Sequence, residues 1–343
     1  MRSAQRTDGL RGGGWMMALV ALLAWASGGA RAESSLATFA EYAAEATPAA
    51  LAHRLLSPLA GARELAAAGA GATAPLVDLS AERFVLHVPS PAPEHGYALL
   101  VFVPPWQEAR IPPGWDRVLD RSGVIFVSAA RSGNDESPRG RRIPLALLAA
   151  HNVLKRYPVD PARVYIAGFS GGSRIALRLA LGYPDLFSGV ILDAGSDAIG
   201  TSELPLPPAA LMARFQASTR VVFLTGERDV EHLNEDQLSL RSLHRWCVEN
   251  IDTYAEPRLG HLVASPASLE RALRSLSAPR APDERRLAQC RGEIEVELER
   301  RFADIEALLE AGERARARAA LAKLDAAYGG LAAPRSVELQ GRL

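Results

Sequence analysis

A surplus of either charge is missing from this chain: 39 Lys and Arg face 39 Asp and Glu across 343 residues. A surface with no positive surplus does not attract a phosphate backbone at long range, so composition gives no support to a nucleic-acid partner. Cysteine is nearly missing, with Cys247 and Cys290 alone. That excludes a scaffold built on disulfides, and two thiols without a neighbouring histidine make no zinc site. Long apolar runs are missing too. The most apolar stretch, 15–26, is about a dozen residues, where a membrane span needs roughly twenty. No cysteine follows that stretch to take a lipid, and no Arg-Arg pair precedes it. What remains, 48% hydrophobic and 23% charged residues, is the composition of an ordinary globular protein with enough chain for a large core.

The N-terminus carries the first positive signal. Arg2, Arg6 and Arg11 precede the apolar stretch, and Ala30-Arg31-Ala32 supplies small residues in an A-x-A pattern. This is the layout of a secretory signal peptide over 1–32, cut after Ala32, and it predicts a periplasmic or secreted protein with no stable membrane anchor after cleavage. Cutting there removes four Arg and one Asp, leaving 35 basic and 38 acidic residues. In an oxidising compartment Cys247 and Cys290 can form one disulfide, tying a core helix to the C-terminal part, or stay as two separately buried thiols.

Three further segments follow. Residues 33–75 are Ala-rich and predict two short helices, over 36–45 and 49–56, then a flexible Gly/Ala tract at 69–75. Residues 76–279 alternate strands and helices. The stretch 83–89 alternates apolar and polar residues like a half-buried outer strand. The runs 97–103, 124–129, 189–192 and 220–225 are continuously apolar, as interior parallel strands are. Helices are expected over 142–156, 234–248 and 266–277, with a last short strand at 253–257. Together these predict an α/β fold, a doubly wound, mostly parallel sheet with helices on both faces. Residues 280–343 form a C-terminal helical extension, with apolar residues three and four apart over 283–310, a second helix around 317–328 and a short terminal one. Such a hairpin cannot bury its own face, so it is expected to dock on the preceding domain.

The stretch 164–181, VYIAGFSGGSRIALRLAL, organises the rest. A β-branched run leads into Gly168-Phe169-Ser170-Gly171-Gly172, and a helical pattern follows. Strand, tight turn and helix around G-x-S-x-G form a nucleophile elbow. The turn crowds the positions two before and two after the serine, and Gly168 and Gly172 relieve that crowding. Ser170 then sits at a helix N-terminus, where free N–H groups favour a developing oxyanion.

A serine hydroxyl becomes a nucleophile when a histidine takes its proton and a carboxylate holds that histidine. The partners are sought after later strands, in the order Ser, acid, His. Asp229 follows the 220–225 strand in Thr225-Gly226-Glu227-Arg228-Asp229, and His261 follows the last strand in Leu259-Gly260-His261. Asp193, Asp197 and Glu227 compete for the acid. His232 competes for the base but shares the loop of Asp229, while His87, His151 and His244 fall in a strand and two helices. One oxyanion donor is the N–H of Gly171. The second must come from the loop 103–107, where Pro104 and Pro105 have no N–H, leaving Trp106 or Gln107. Trp106, Trp115 and Phe169 are candidate walls of a substrate pocket. This chemistry needs no metal and no organic cofactor.

With these residues in place, the chain resembles the α/β-hydrolase superfamily, and within it the secreted esterases grouped with polyhydroxybutyrate depolymerases and feruloyl or acetylxylan esterases. The resemblance rests on Tyr157-Pro-Val-Asp160-Pro-Ala-Arg163-Val-Tyr165-Ile-Ala-Gly168-Phe-Ser170-Gly-Gly172, continued by Tyr183-Pro184-Asp185-Leu-Phe187, and covers roughly 80–276. It implies Ser170 as nucleophile, Asp229 as acid, His261 as base, and a small-molecule or oligomeric ester as substrate. It departs from the group at Pro104-Pro105, where His-Gly is usual. Two other readings share the elbow: a prolyl-oligopeptidase-like serine peptidase, and an inactive hydrolase-like scaffold that binds through its C-terminal helices. Oligomeric state is not legible.

Overall fold

A computed structural model describes residues 33–343; the expected signal peptide lies outside the described residues. The chain opens with an edge strand, β1 (Glu33–Ala37), and two helices, α1 (Pro48–Leu55) and α2 (Pro58–Ala68). Then come β2 (Phe84–Val88), β3 (Tyr97–Val103), α3 (Trp115–Ser122), β4 (Val124–Ala129) and α4 (Ile143–Arg156). The centre is β5 (Val159–Phe169), α5 (Gly171–Gly182) and β6 (Gly189–Asp193). It continues with α6 (Ala209–Ser218), β7 (Arg220–Gly226), α7 (Val230–Arg245), β8 (Ile251–Glu256) and α8 (Pro266–Ser277). Three helices close the chain: α9 (Glu284–Glu310), α10 (Arg314–Tyr328) and α11 (Arg335–Arg342).

The strands form one sheet of eight in the order β1-β2-β4-β3-β5-β6-β7-β8. β1 and β2 are antiparallel, and β3 to β8 run parallel. Side chains alternate across the strands, so Leu99, Val101 and Val103 face one core with α4 and α5, while Leu100 and Phe102 face another with α3 and α8. Both faces are covered, which is why the central strands read as unbroken apolar runs.

The N-terminal part departs from expectation. Residues 33–37 pair with β2 as a strand where a helix over 36–45 was expected. Alanine's helix preference is weak against the ladder offered by the open edge of β2. β2 is consequently buried along most of its length, not half-buried and not outermost. The 69–73 tract is a short 3-10 helix, not a flexible linker, and α2 was not foreseen. Neither were α3 and α6.

The C-terminal helices share the main core: Leu298, Phe302, Ile305, Leu321 and Leu324 are buried in the cluster that contains the sheet residues. Arg291 of α9 donates to Gln216 Oε1 at 2.6 Å and to the carbonyl of Ala213 at 2.7 Å. The Cys247–Cys290 disulfide joins the end of α7 to α9. Asp325 of α10 reaches the start of α2, accepting from Ser57 Oγ at 2.5 Å and from the Leu59 N–H at 3.1 Å. It thus caps α2 in place of the Ser57 side chain, which makes no capping hydrogen bond of its own.

Candidate active site

The central strand β5 ends at Phe169, and the next residue turns into α5 with φ 55° and ψ −126°. A non-glycine residue in this region costs roughly 1–3 kcal/mol and persists only where its surroundings hold it. Here the Ser170 N–H donates to the carbonyl of Asp193 on β6 at 2.8 Å. A side chain on Gly168 would strike the backbone of Gly172, and one on Gly172 would strike the carbonyl of Val103. The turn is therefore closed to larger residues at both positions.

Asp229 follows β7 as the residue before α7, and His261 follows β8. Gly226 lets the two loops meet, because a side chain there would collide with the carbonyls of Leu259 and Gly260. The Arg228 N–H then donates to the Leu259 carbonyl at 2.9 Å. His261 Nε2 lies 3.0 Å from Ser170 Oγ, and its Nδ1 lies 2.7 Å from Asp229 Oδ2. Three side chains from three loops converge at the C-terminal edge of a parallel sheet, with the serine in a strained elbow. This is the α/β-hydrolase fold.

Within this site the rival acids are engaged elsewhere. Asp197 pairs with Arg174 at 2.5 Å, and Glu227 accepts from the Arg258 N–H at 3.1 Å. Asp193 is buried and accepts from the Ala264 N–H at 2.8 Å, so it holds the backbone beyond His261 and not the imidazole. Burial pushes its carboxyl well above the ordinary range. Burial also works against ionisation of Asp229, but hydrogen bonds from His232 and His261 outweigh it and hold that carboxyl below its usual value.

His232 is closer to the site than its sequence position suggested. It lies in the first turn of α7, three residues after Asp229, and its Nδ1 is 2.8 Å from Asp229 Oδ1. Its ring stacks on His261 with centroids 4.1 Å apart and 11° between planes. One carboxylate thus serves two parallel imidazoles. The i, i+3 spacing from Asp229 was the signal for this contact. These three residues could also offer atoms to a metal ion, since their ligand atoms lie within 4.8 Å of one another. Two of the three are the partners of Ser170, and the hydrogen-bond pairing between them accounts for the arrangement. His151 and His244 do not enter the site, and His87 bridges Ser34 and Asp120.

The loop after β3 is laced to the loop at 131–134. The Asn134 N–H donates to the Pro105 carbonyl at 3.1 Å, the Arg131 N–H to the Gln107 carbonyl at 2.6 Å, and Arg142 to the Pro104 carbonyl at 3.0 Å. Arg142 is buried, and burial brings its guanidinium down to about 10. Among the described residues the N–H groups of Trp106, Gln107 and Gly171 donate to no protein acceptor. The Asn134 amide lies against Gly171, in the space a side chain would fill; no sequence pattern marked it.

Of the aromatic residues, Phe169 stacks on His261 at 4.9 Å between centroids, and Trp106 lies 6.3 Å from Phe169 with Arg110 over its ring. Trp115 is not a pocket wall. It is 1% exposed in the core between α3 and α8, and its indole N–H donates to the Ala264 carbonyl at 2.9 Å, steadying the histidine loop.

No protein-family model matches the chain. A "Putative esterase NocK" of Nocardia uniformis subsp. tsuyamanensis is 51% identical over 51 residues, which are 15% of this chain and 13% of that protein's length. Among solved structures, the s-formylglutathione hydrolase FrmB of Staphylococcus aureus aligns with 13% identity over 57% of this chain and 92% of its own, TM-score 0.44. A ferulic acid esterase aligns with 16% identity over 56% and 89%, TM-score 0.42. An esterase of the archaeon Pyrobaculum calidifontis aligns with 15% identity over 57% and 78%, TM-score 0.41. Likeness at this level says nothing of substrate.

Proposed function

We propose that the protein is a serine hydrolase that cleaves carboxylic esters through an acyl-enzyme, and that residues 1–32 export it. The observation that carries the reading is the continuous hydrogen-bonded line from Ser170 Oγ through His261 to Asp229, at 3.0 and 2.7 Å. In this reading His261 Nε2 takes the hydroxyl proton as Oγ attacks the ester carbon. Asp229 holds Nδ1–H toward itself and offsets the positive charge that forms on the ring. The tetrahedral oxyanion meets the N–H of Gly171 and an N–H from Trp106 or Gln107, each worth roughly 10²–10³ in rate. Collapse expels the alcohol, which takes the proton back from His261. Water then repeats the sequence on the acyl-enzyme, with His261 again as base, and frees the acid.

The hydrogen bonds to the carbonyls of Pro104, Pro105 and Gln107 fix this loop, which supports a working second donor despite the two prolines. They leave the N–H groups of that loop unengaged. The test compares mature protein with Ser170→Ala, using a fluorophosphonate probe and p-nitrophenyl butyrate. Labelling should vanish, and kcat should fall by a factor on the order of 10⁶. Labelling that survives the substitution, or turnover of peptides with none of esters, overturns the proposal.

A further inference from the structure

The helix that follows the nucleophile has a second use. Gly171, Arg174, Ile175 and Arg178 recur on one face of α5, and that face forms a wall of a cleft of about 740 Å³. Arg139 and Arg142 line the same cleft, and Pro48, Leu51 and Leu76 of the N-terminal segment close its apolar side. Four guanidinium groups therefore face two carboxylates in the lining, Glu64 and Asp197.

The pairing among them is uneven. Arg139 binds Glu64 at 2.6 Å, and Arg174 is held by Asp197 at 2.5 Å and by Glu235 at 2.7 Å. Arg142 donates to the carbonyls of Ser132 and Pro104, both at 3.0 Å, and has no salt bridge among the described residues, Glu136 acting on it only through space. Arg178 has neither a hydrogen bond nor a salt bridge among the described residues. Its nearest acids, Asp197 and Glu203, act on it only through space, and burial pulls its pKa down. An arginine remains charged in any case. A partly buried guanidinium with five idle donors, within reach of the Arg139 charge, is costly unless something anionic fills the cleft.

We propose that this cleft binds a carboxylate carried by the ester itself, held in a two-point pair by Arg178. The inference rests on the hydrolase reading above and narrows it to monoesters of dicarboxylic acids. Ser170 and Arg178 are eight residues apart along the helix, about 12 Å of rise. Helical side chains tilt back toward the N-terminus, here toward Ser170, which shortens the gap. A short alkyl spacer between ester and carboxylate can bridge what remains, along Ile175, Leu51 and Pro48. The planar fork of a free guanidinium takes a carboxylate as a two-point pair.

The test compares the p-nitrophenyl monoester of glutaric acid with neutral p-nitrophenyl valerate, on wild type, Arg178→Gln and Arg178→Lys. The readout is the ratio of kcat/KM for the charged over the neutral ester. Wild type should favour the charged ester by about tenfold or more; Arg178→Gln should erase that preference, and Arg178→Lys should restore part of it. A wild-type ratio at or below one, or a ratio unmoved by Arg178→Gln, overturns the proposal. Titration of glutarate into Ser170→Ala, and into Ser170→Ala with Arg178→Gln, separates this inference from the hydrolase reading. Binding that needs Arg178, in a protein whose wild type cleaves neither ester, leaves the cleft standing and removes the hydrolase. Cleavage of both esters without preference, and without glutarate binding, does the reverse.

Discussion

His232 gives the most demanding prediction, because Asp229 divides its two oxygens between two imidazoles. Replacing His232 with Ala leaves Oδ1 of a buried carboxylate without its 2.8 Å partner. An unsatisfied buried acceptor costs roughly 1–3 kcal/mol. If the carboxylate turns or admits water to recover that bond, its grip on His261 weakens by a comparable amount, which converts to a kcat lower by roughly 5- to 150-fold. Asp229→Asn should cost much more, on the order of 10⁴. The measurement is kcat on p-nitrophenyl butyrate for His232→Ala and His232→Asn, with thermal midpoints for each. Asn keeps a side-chain N–H near the place of Nδ1, so it should recover most of the rate, which a purely packing role would not allow.

The pH dependence carries a sign. Asp229 has a folded pKa below its ordinary value, so it contributes stability that is present above about pH 4 and lost as pH falls through the folded value. His232→Ala removes part of that depression. The stability gap between wild type and variant should therefore be widest near neutrality and close in acid. A His232→Ala protein with unchanged kcat and midpoint refutes the reasoning. A loss as deep as that of Ser170→Ala would make His232 the base in place of His261.

Two further outcomes follow from buried groups. The Cys247–Cys290 bond spans 43 residues, and opening it with Cys247→Ser/Cys290→Ser should cost about 4 kcal/mol by the loop-entropy relation. Urea midpoints read that cost, and mass spectrometry of exported protein should show the intact bond and an N-terminus at Glu33; equal midpoints count against the bond. Asp193 has the opposite sign to Asp229: its raised pKa favours folding while it is protonated, and that advantage is lost as pH rises from about 4 through the folded value. Asp193→Asn can still accept from Ala264, so it should be more stable than wild type at pH 7, by roughly 1.4 kcal/mol for every tenfold that folding tightens the carboxyl's hold on its proton, and equal to it near pH 3. A less stable Asp193→Asn at pH 7 refutes that sign.

The sheet's centre was legible because burial on both faces writes itself as continuous apolar runs, and the elbow because its crowding admits only glycine at 168 and 172. His261 and Asp229 were legible from their loops, since strands that end on one edge deliver the following residues to that edge. The rest depends on contacts distant in sequence. The segment 33–37 pairs as a strand only because β2 offers it an edge. Trp115 looked like a pocket wall until α3 and α8 closed around it. The pairing of Arg174 with Asp197 and Glu235, and the lack of any pairing at Arg178, could not be read from a helix that shows only an ordinary apolar stripe. α3 was missed although Gly114 and Gly123 bracket it with left-handed caps, a signal strong enough to have found it.

The clasp between Asp325 and Ser57 joins residues 268 positions apart. The start of α2, whose Glu64 holds Arg139 across the cleft, is therefore completed only when the far end of α10 has docked. No residue of the three C-terminal helices lines that cleft, yet one of its walls depends on them: removing α10 would loosen the Glu64–Arg139 side while Ser170, His261 and Asp229 keep their own contacts.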